Sequence, residues 1–323
     1  MNFDSKIAVA GAGSIGCFVG GLLKAAGRNV VFLGRKRIAD ELYGHGLHLT
    51  DYSGMDLNVP NTDIEISEDP DLLSQANVIL VCVKSGATET IANLIKTQAP
   101  ASAIVVSLQN GVRNADALRN ILPKFDVRAG MVPFNVVQMG SGRFHRGTSG
   151  TMVVEAGEPD IGTLLNVPHL KTQASSDMQS VLWGKLMVNL NNALNALSDV
   201  PLVEELKDRN WRLKLADQMT EAIAVMKTEG ISPKPPSPVP AWVIPHILRL
   251  PTPLFHAAAK QMLAIDPQAR SSMWEDIQQG RRTEIDELQG EIIRLGEKHG
   301  IATPVNQQTF ELIRKLEGGG EKS

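Results

Sequence analysis

Residues 6–16 read KIAVAGAGSIG, an apolar run that breaks into glycine and resumes as a helical pattern. Gly11, Gly13 and Gly16 hold the G-x-G-x-x-G spacing, with Ala12, Ser14 and Ile15 between them. Little else in the chain restricts the fold so tightly. The first glycine permits a tight turn, the second lets backbone approach a pyrophosphate, and the third lets helix and strand pack closely. The helix N-terminus then meets the phosphate charge. Strand-like runs stand on both sides, KIAVA (6–10) and NVVFL (29–33), so a βαβ unit is expected. Residues Gly11 to Gly16 are the expected dinucleotide contacts.

Further runs of the same kind follow: NVILVCV (77–83), AIVVSL (103–108) and DVRAGMV (126–132), separated by helix-length segments. That pattern predicts a parallel sheet. GRFHRGTSGTMVVEAG, after Gly140, reads as a hairpin closing the first domain. From about Ser175 strand signals give way to helical periodicity, with helices expected over 176–198, 208–229, 254–264, 267–296 and 305–316. Residues 231–255 carry eight prolines and read as a semi-rigid connector. The expected architecture is an α/β N-terminal Rossmann-type dinucleotide-binding domain over 1–173, followed by an all-α C-terminal domain over 174–323.

The end of the second strand bears on which dinucleotide binds. NAD-binding chains usually place an acid there for the ribose 2′-hydroxyl. This chain has Gly34 followed by Arg35, Lys36 and Arg37. Cations without an acid favour a 2′-phosphate, so NADP(H) is predicted with Arg35 as principal contact; at least one of Lys36 and Arg37 reads as ordinary surface charge. Lys84 in VCVKSG and Asn110 in SLQNGV stand at the carboxyl ends of two later strands, where open α/β sheets bind ligands.

Net charge is −3 and no long basic run occurs, which argues against nucleic acid and leaves small molecules as partners. No apolar run is long enough to span a membrane, and the first strand starts too early to leave room for a signal peptide. The two cysteines, Cys17 and Cys82, lie in apolar context and read as buried thiols. A cytoplasmic protein is expected.

The stretch WGKLMVNLNNALNALS (183–198) places four asparagines and a lysine in an otherwise apolar helix. At about 100° per residue, Asn189 and Asn192 fall within roughly 40° of Lys185, clear of the leucine face. Either this is a solvated face or it is a proton donor flanked by amides; Asn191 and Asn195 lie off the stripe. In SSMWEDIQQGRRTEIDELQGEIIRL, read as one helix, Glu284 falls within about 20° of Ile277 on the apolar stripe with Leu288 and Leu295. A carboxylate there needs a partner. Ser272, near the start of that helix, either caps it or contacts a ligand carboxylate.

GAGSIG, VCVKS, QNGV, WGKLMVN and SSM…RRTEID…HGIATP together resemble the ketopantoate reductase (2-dehydropantoate 2-reductase) family, in family order from residue 6 to about 310. The resemblance implies a Rossmann domain and a helical domain with the active site in the cleft between them. It implies NADPH-dependent reduction of 2-dehydropantoate to pantoate, on the route to pantothenate and coenzyme A. Residue by residue, it makes Lys185 the proton donor, Asn189 a substrate contact, Ser272 a substrate-binding serine, and Glu284 an active-site glutamate near cofactor and substrate. Lys84 and Asn110 match cofactor contacts, Asn110 also bordering substrate. The expected partner is a small 2-oxo acid, and a homodimer is compatible with the resemblance. One departure stands out: the family amide eight residues after the lysine is Ala193 here, with Asn192 one step earlier as its candidate replacement. Reduction of another branched 2-oxo acid, or a non-catalytic NADP-binding sensor, are the alternative readings.

Overall fold

Runs of four or so β-branched and aliphatic residues suit a strand and are too short for a stable helix. The computed structural model, which describes residues 5–237, 239–259 and 266–319, turns each such run of the first half into a strand. The chain divides into two compact units, Met1–Met178 and Gln179–Ser323.

The first unit holds twelve strands among its described residues: β1 Ile7–Ala10, β2 Val30–Leu33, β3 Leu47–Asp51, β4 Asp56–Val59, β5 Glu65–Ser67, β6 Val78–Val81, β7 Ile104–Ser107, β8 Asp126–Met131, β9 Val136–Gly140, β10 Arg143–Arg146, β11 Met152–Glu155 and β12 Thr172–Ser175. Its helices are α1 Ser14–Ala25, α2 Lys36–His45, α3 Thr88–Gln98, α4 Asn114–Ile121 and α5 Ile161–Leu165, and α6 Met178–Asn189 begins at its end. The main sheet runs β12-β11-β8-β7-β6-β1-β2-β5. Its pairings are parallel except for β11 against β8. β1 is flanked by β2 and β6, so the strand order reverses there, as in a Rossmann sheet.

Continuous apolar strands are what a sheet covered on both faces requires, and alternate residues feed two cores. Ile7, Val9, Phe32 and Leu80 join Phe18 and Leu22 of α1 and Leu49 and Phe144 of the second sheet. Ala8, Ala10, Val31 and Val81 join Ile91 and Ile95 of α3 and Leu118 of α4.

Residues 140–157 depart from the expected hairpin. β10 pairs with β9 and β3 in a separate four-stranded sheet, β4-β3-β10-β9, whereas β11 pairs with β8 and β12 in the main sheet. The Gly and Thr punctuation between them carries the chain from one sheet to the other. β10 forms a short hairpin with the preceding β9 and pairs with the distant β3, whereas both partners of β11 are remote in the chain.

The second unit is helical: after α6 come α7 Asn191–Ser198, α8 Leu202–Lys207, α9 Arg209–Thr228, α10 Ile244–Arg249, α11 Thr252–Ala258, α12 Ser272–Gln278, α13 Gln289–His299 and α14 Pro304–Gly319. Three expectations need correction. The expected helix over 176–198 is split at Leu190 into α6 and α7, so Lys185 and Asn192 stand on different helices. The proline-rich segment is not connector throughout, because Pro245 and Pro253 stand in the first turns of α10 and α11. Proline is tolerated there, where its missing N–H would have no helical partner. The expected helix over 267–296 is three pieces: α12 stops before Gly280, whose φ is +60°, and Ile285–Glu287 form a single 3₁₀ turn before α13. The expected helix over 254–264 is seen to Ala258, and 260–264 lie outside the described residues. Among the described residues no helix is long and apolar enough to cross a membrane.

Candidate active site

In the first unit the glycine loop leaves β1 through Gly11 at φ +113°, where a Cβ would come within 2.8 Å of Val83. The N–H groups of Gly11 and Ala12 both donate to Leu33 O, at 3.0 and 3.2 Å, tying the loop to the end of β2. A Cβ on Gly16 would meet Gly11 O at 2.1 Å, so only glycine lets α1 start this close to the loop. Exposed Gly13 is the N-cap of α1 and offers no side chain to the first N–H groups, and no acid stands in that turn. Ser14 and Ile15, both half-buried, form the start of the helix. The cradle therefore fits a pyrophosphate: backbone donors at a helix N-terminus, with no carboxylate to repel it.

At the end of β2 a Cβ on Gly34 would lie 2.6 Å from the Ala12 methyl. A side chain at this position, where NAD-binding chains use an acid, would require Ala12 to shift. Arg35 follows as the exposed N-cap of α2. Lys36 pairs with Asp40 at 2.9 Å and Arg37 with Glu41 at 3.5 Å. Those two cations are thus matched by acids a turn later, whereas Arg35 forms no ion pair among the described residues.

The next two strands bring Lys84 and Asn110 onto the same edge, since β6 lies between β1 and β7. Lys84 is exposed and Asn110 half-buried. Buried Asn114 ties their loops together: its amide donates to Ser85 Oγ at 2.8 Å and to Asn110 O at 2.5 Å. Its own oxygen accepts from Thr88 Oγ1 at 3.0 Å, and Thr88 in turn accepts from Gln109 at 2.7 Å. Asn114 has no helical period or motif to mark it in the sequence.

In the second unit Lys185 lies in the last two turns of α6, half-buried, with Asn189 buried one turn on. Burial pulls the Lys185 ammonium down from about 10.5 to about 8, because desolvation penalises the charged form. The helix pauses at Leu190, whose carbonyl accepts from Gln289 Nε2 at 2.9 Å. That contact falls at the break between α6 and α7. Gln289 also donates to Gln218, which donates to Thr309, a buried polar chain reaching from α13 through α9 to α14.

Half-buried Asn192 follows in α7, and its carbonyl accepts from Ser271 Oγ at 2.9 Å. Ala193 is fully buried. Ser271, not Ser272, caps α12, accepting from Trp274 N at 3.1 Å; Ser272 is left half-buried without that task. Glu284 is half-buried, but it is not on a helix stripe. It stands at the head of the 3₁₀ turn, held by Thr283 N donating to Glu317 at 2.7 Å and Ile285 N to Thr283 Oγ1 at 3.3 Å. The wheel placement with Ile277 fails because the helix is interrupted at Gly280.

Residues 7–159 match the family model of ketopantoate reductase PanE/ApbA, and residues 177–317 match that of its C-terminal region. The chain belongs to the ketopantoate reductase family. This family comprises NAD(P)-dependent oxidoreductases acting on small molecules. Among solved structures, a PanE/ApbA family ketopantoate reductase from Ralstonia eutropha is 31% identical with a TM-score of 0.83, covering 98% of this chain and 100% of that one. The 2-dehydropantoate 2-reductase of Halobacterium salinarum is 26% identical over 98% of this chain and 100% of its own. That of Archaeoglobus fulgidus is 27% identical over 97% and 98%. A D-mandelate dehydrogenase bound to NADH and anilino(oxo)acetate shares the fold at 23% identity and a TM-score of 0.79, covering 97% of this chain and 99% of that one.

Proposed function

We propose that this chain reduces the C2 ketone of 2-dehydropantoate to (R)-pantoate with NADPH, and that Lys185 is the proton donor. Family membership across both units supports the reaction class. The observation that carries the donor assignment is Lys185 itself, drawn from solvent and lowered to about 8. At pH 7 such a lysine is still roughly nine-tenths protonated, yet it releases its proton far more readily than a free lysine.

The nicotinamide, when bound, supplies the hydride. Lys185 stabilises the charge growing on the ketone oxygen and transfers one proton to it, then regains a proton from solvent. Glu284, an acceptor-only carboxylate when ionised, orients the ammonium. Asn189, Asn192 and Ser272 bind substrate polar groups, and Asn110 borders both substrate and cofactor. Gly11, Ala12, Gly13, Ser14, Ile15 and Gly16 hold the pyrophosphate, with Lys84 and Glu284 as further cofactor contacts. Arg35 takes the 2′-phosphate, a reading supported by its lack of an acidic partner and by the crowded position at Gly34.

One observation favours a second reading, reduction of another branched 2-oxo acid by the same machinery. The position eight residues after Lys185 is the fully buried Ala193, which offers no amide to a pantoyl hydroxyl. The deciding experiment follows NADPH and NADH oxidation with 2-dehydropantoate and a panel of 2-oxo acids. Turnover of other acids alone would transfer the assignment to the second reading; no turnover with any would remove both. Arg35→Ala should lower the preference for NADPH over NADH, and an unchanged preference would remove Arg35 from the 2′-phosphate site.

A further inference from the structure

Glu205 in α8 is only 1% exposed, and among the described residues it forms no ion pair. Its partners are amides. Asn195 Nδ2 donates to its carboxyl at 2.7 Å, and the Asn191 side chain also hydrogen-bonds to it. A buried carboxyl left without partners would be costly, so these two amides decide how α8 meets α7.

The same contacts dictate which way the Asn195 amide faces. Its Nδ2 is shared between Glu205 and Val200 O, at 2.7 and 2.9 Å, and this leaves Oδ1 to accept the Ser271 N–H at 2.8 Å. Ser271 then caps α12 through Trp274 N and donates to Asn192 O. On the outer side, Asp199 accepts from Trp274 Nε1 at 2.7 Å and pairs with Arg270 at 3.3 Å. A continuous line of hydrogen bonds therefore runs from Glu205 to the turn that carries Ser272.

We propose that Glu205 is a positioning residue for substrate binding: by orienting Asn195 it holds the Ser271–Ser272 turn at one place against α7. The proposal rests on the reading that Ser272 binds substrate. Burial raises the Glu205 carboxyl to about 8, so the neutral acid is the main form near pH 7. The Asn191 Oδ1 is buried without a partner, and rotating that amide would turn an acceptor towards a protonated carboxyl. A glutamine, which also offers one acceptor and one donor side, can therefore stand in for Glu205.

Two variants test this, Glu205→Leu and Glu205→Gln, each measured by steady-state kinetics and by hydrogen exchange of the Ser271–Trp274 amides. Glu205→Leu should raise KM for the 2-oxo acid roughly tenfold, the loss expected when a buried amide is left unpaired, with kcat and KM for NADPH within about twofold. The Ser271–Trp274 amides should exchange faster. Glu205→Gln should keep both properties near wild type. A purely structural role would instead reduce the active fraction with both KM values unchanged, and that result overturns the proposal. Unchanged exchange at 271–274 in the leucine variant, or glutamine behaving like leucine, overturns it as well. If the wild-type protein reduces no 2-oxo acid, the functional reading fails, and the exchange comparison still decides whether Glu205 holds the turn. Should Glu205→Leu fail to fold, Glu205→Asp, which withdraws the carboxyl by one methylene, decides by the same measurements.

Discussion

The carbonyl oxygen of Lys234 lies so close over Gly184 that a Cβ on the glycine would come within 2.1 Å of it, and within 2.5 Å of Pro235 N. Lys234 N–H donates to Ser180 O at 2.8 Å, one turn earlier on α6. The proline-rich segment thus crosses α6 one residue before Lys185. On helix propensity alone, Gly184→Ala should stabilise by about 1 kcal/mol. The clash is with backbone on a proline-restricted segment, which cannot step aside through a rotamer change, and overpacking of this kind costs about 1–3 kcal/mol. The clash should win: Gly184→Ala is expected to lower stability in chemical denaturation and to reduce kcat. A stabilised, fully active variant would show that the crossing is loose.

On the proposed donor role, the titration of Lys185 gives ketone reduction a pH dependence with a definite sign. Only the protonated lysine can donate, so kcat/KM for ketone reduction should be level below about pH 8 and fall about tenfold per unit above it. Oxidation of the hydroxy acid needs the neutral amine and should rise through the same value. Stability has its own sign. The folded pKa lies below the unfolded one, so the unfolded chain holds more protons between about 8 and 10.5, and the burial penalty from this lysine is relieved as pH rises through that window. A pH–rate profile between about pH 6 and 10 checks the first point; one that stays level to pH 9.5 would remove Lys185 as the acid.

Asn114 is expected to govern dinucleotide affinity without touching the ligand. Asn114→Asp keeps the shape but removes both donors to the Lys84 and Asn110 loops and sets a carboxylate against Asn110 O. Losing buried donors of this kind costs about 1–3 kcal/mol, so Kd for NADPH should rise roughly tenfold or more. Calorimetric titration measures this, and an unchanged Kd would mean that the loops keep their places unaided.

Arg212 should be among the costliest residues to replace. Its fully buried guanidinium donates to the carbonyls of Leu206, Lys207, Leu248 and Leu250 and to Thr252 Oγ1, with its plane over the Phe255 ring. Those carbonyls belong to the C-terminal ends of the short helices α8 and α10, which have few other ways to satisfy them. Arg212→Met is expected to lose about 3 kcal/mol or more in denaturant unfolding, and Arg212→Lys nearly as much, since a point ammonium cannot reproduce the planar fork. A lysine variant of wild-type stability would contradict this account.

Some of the local structure around the candidate site was legible because its determinants are local. The glycine spacing, the apolar run before it and the cations after β2 lie within thirty or so residues, and short-range sterics relate them. Lys185 and Asn189, four residues apart, lie on one helix as the period implied. Other features were hidden because their cause is remote. Asn195 has no claim on a helical wheel, yet it is fully buried and bonded to residues ten and seventy-six positions away. The wheel placement of Glu284 assumed a helix that Gly280 ends.

The sequence by itself determined the parallel sheet, the glycine turn between β1 and α1, and the placing of Lys185 and Asn189 one turn apart on α6, because hydrophobic period and glycine sterics act over a few residues. Tertiary structure alone decided which strands of 143–155 join which sheet, where prolines open helices, and how Asn195, Glu205 and Ser271 meet. Those outcomes depend on satisfying buried polar groups, and a buried donor accepts whatever partner the fold brings to it, however distant in the chain.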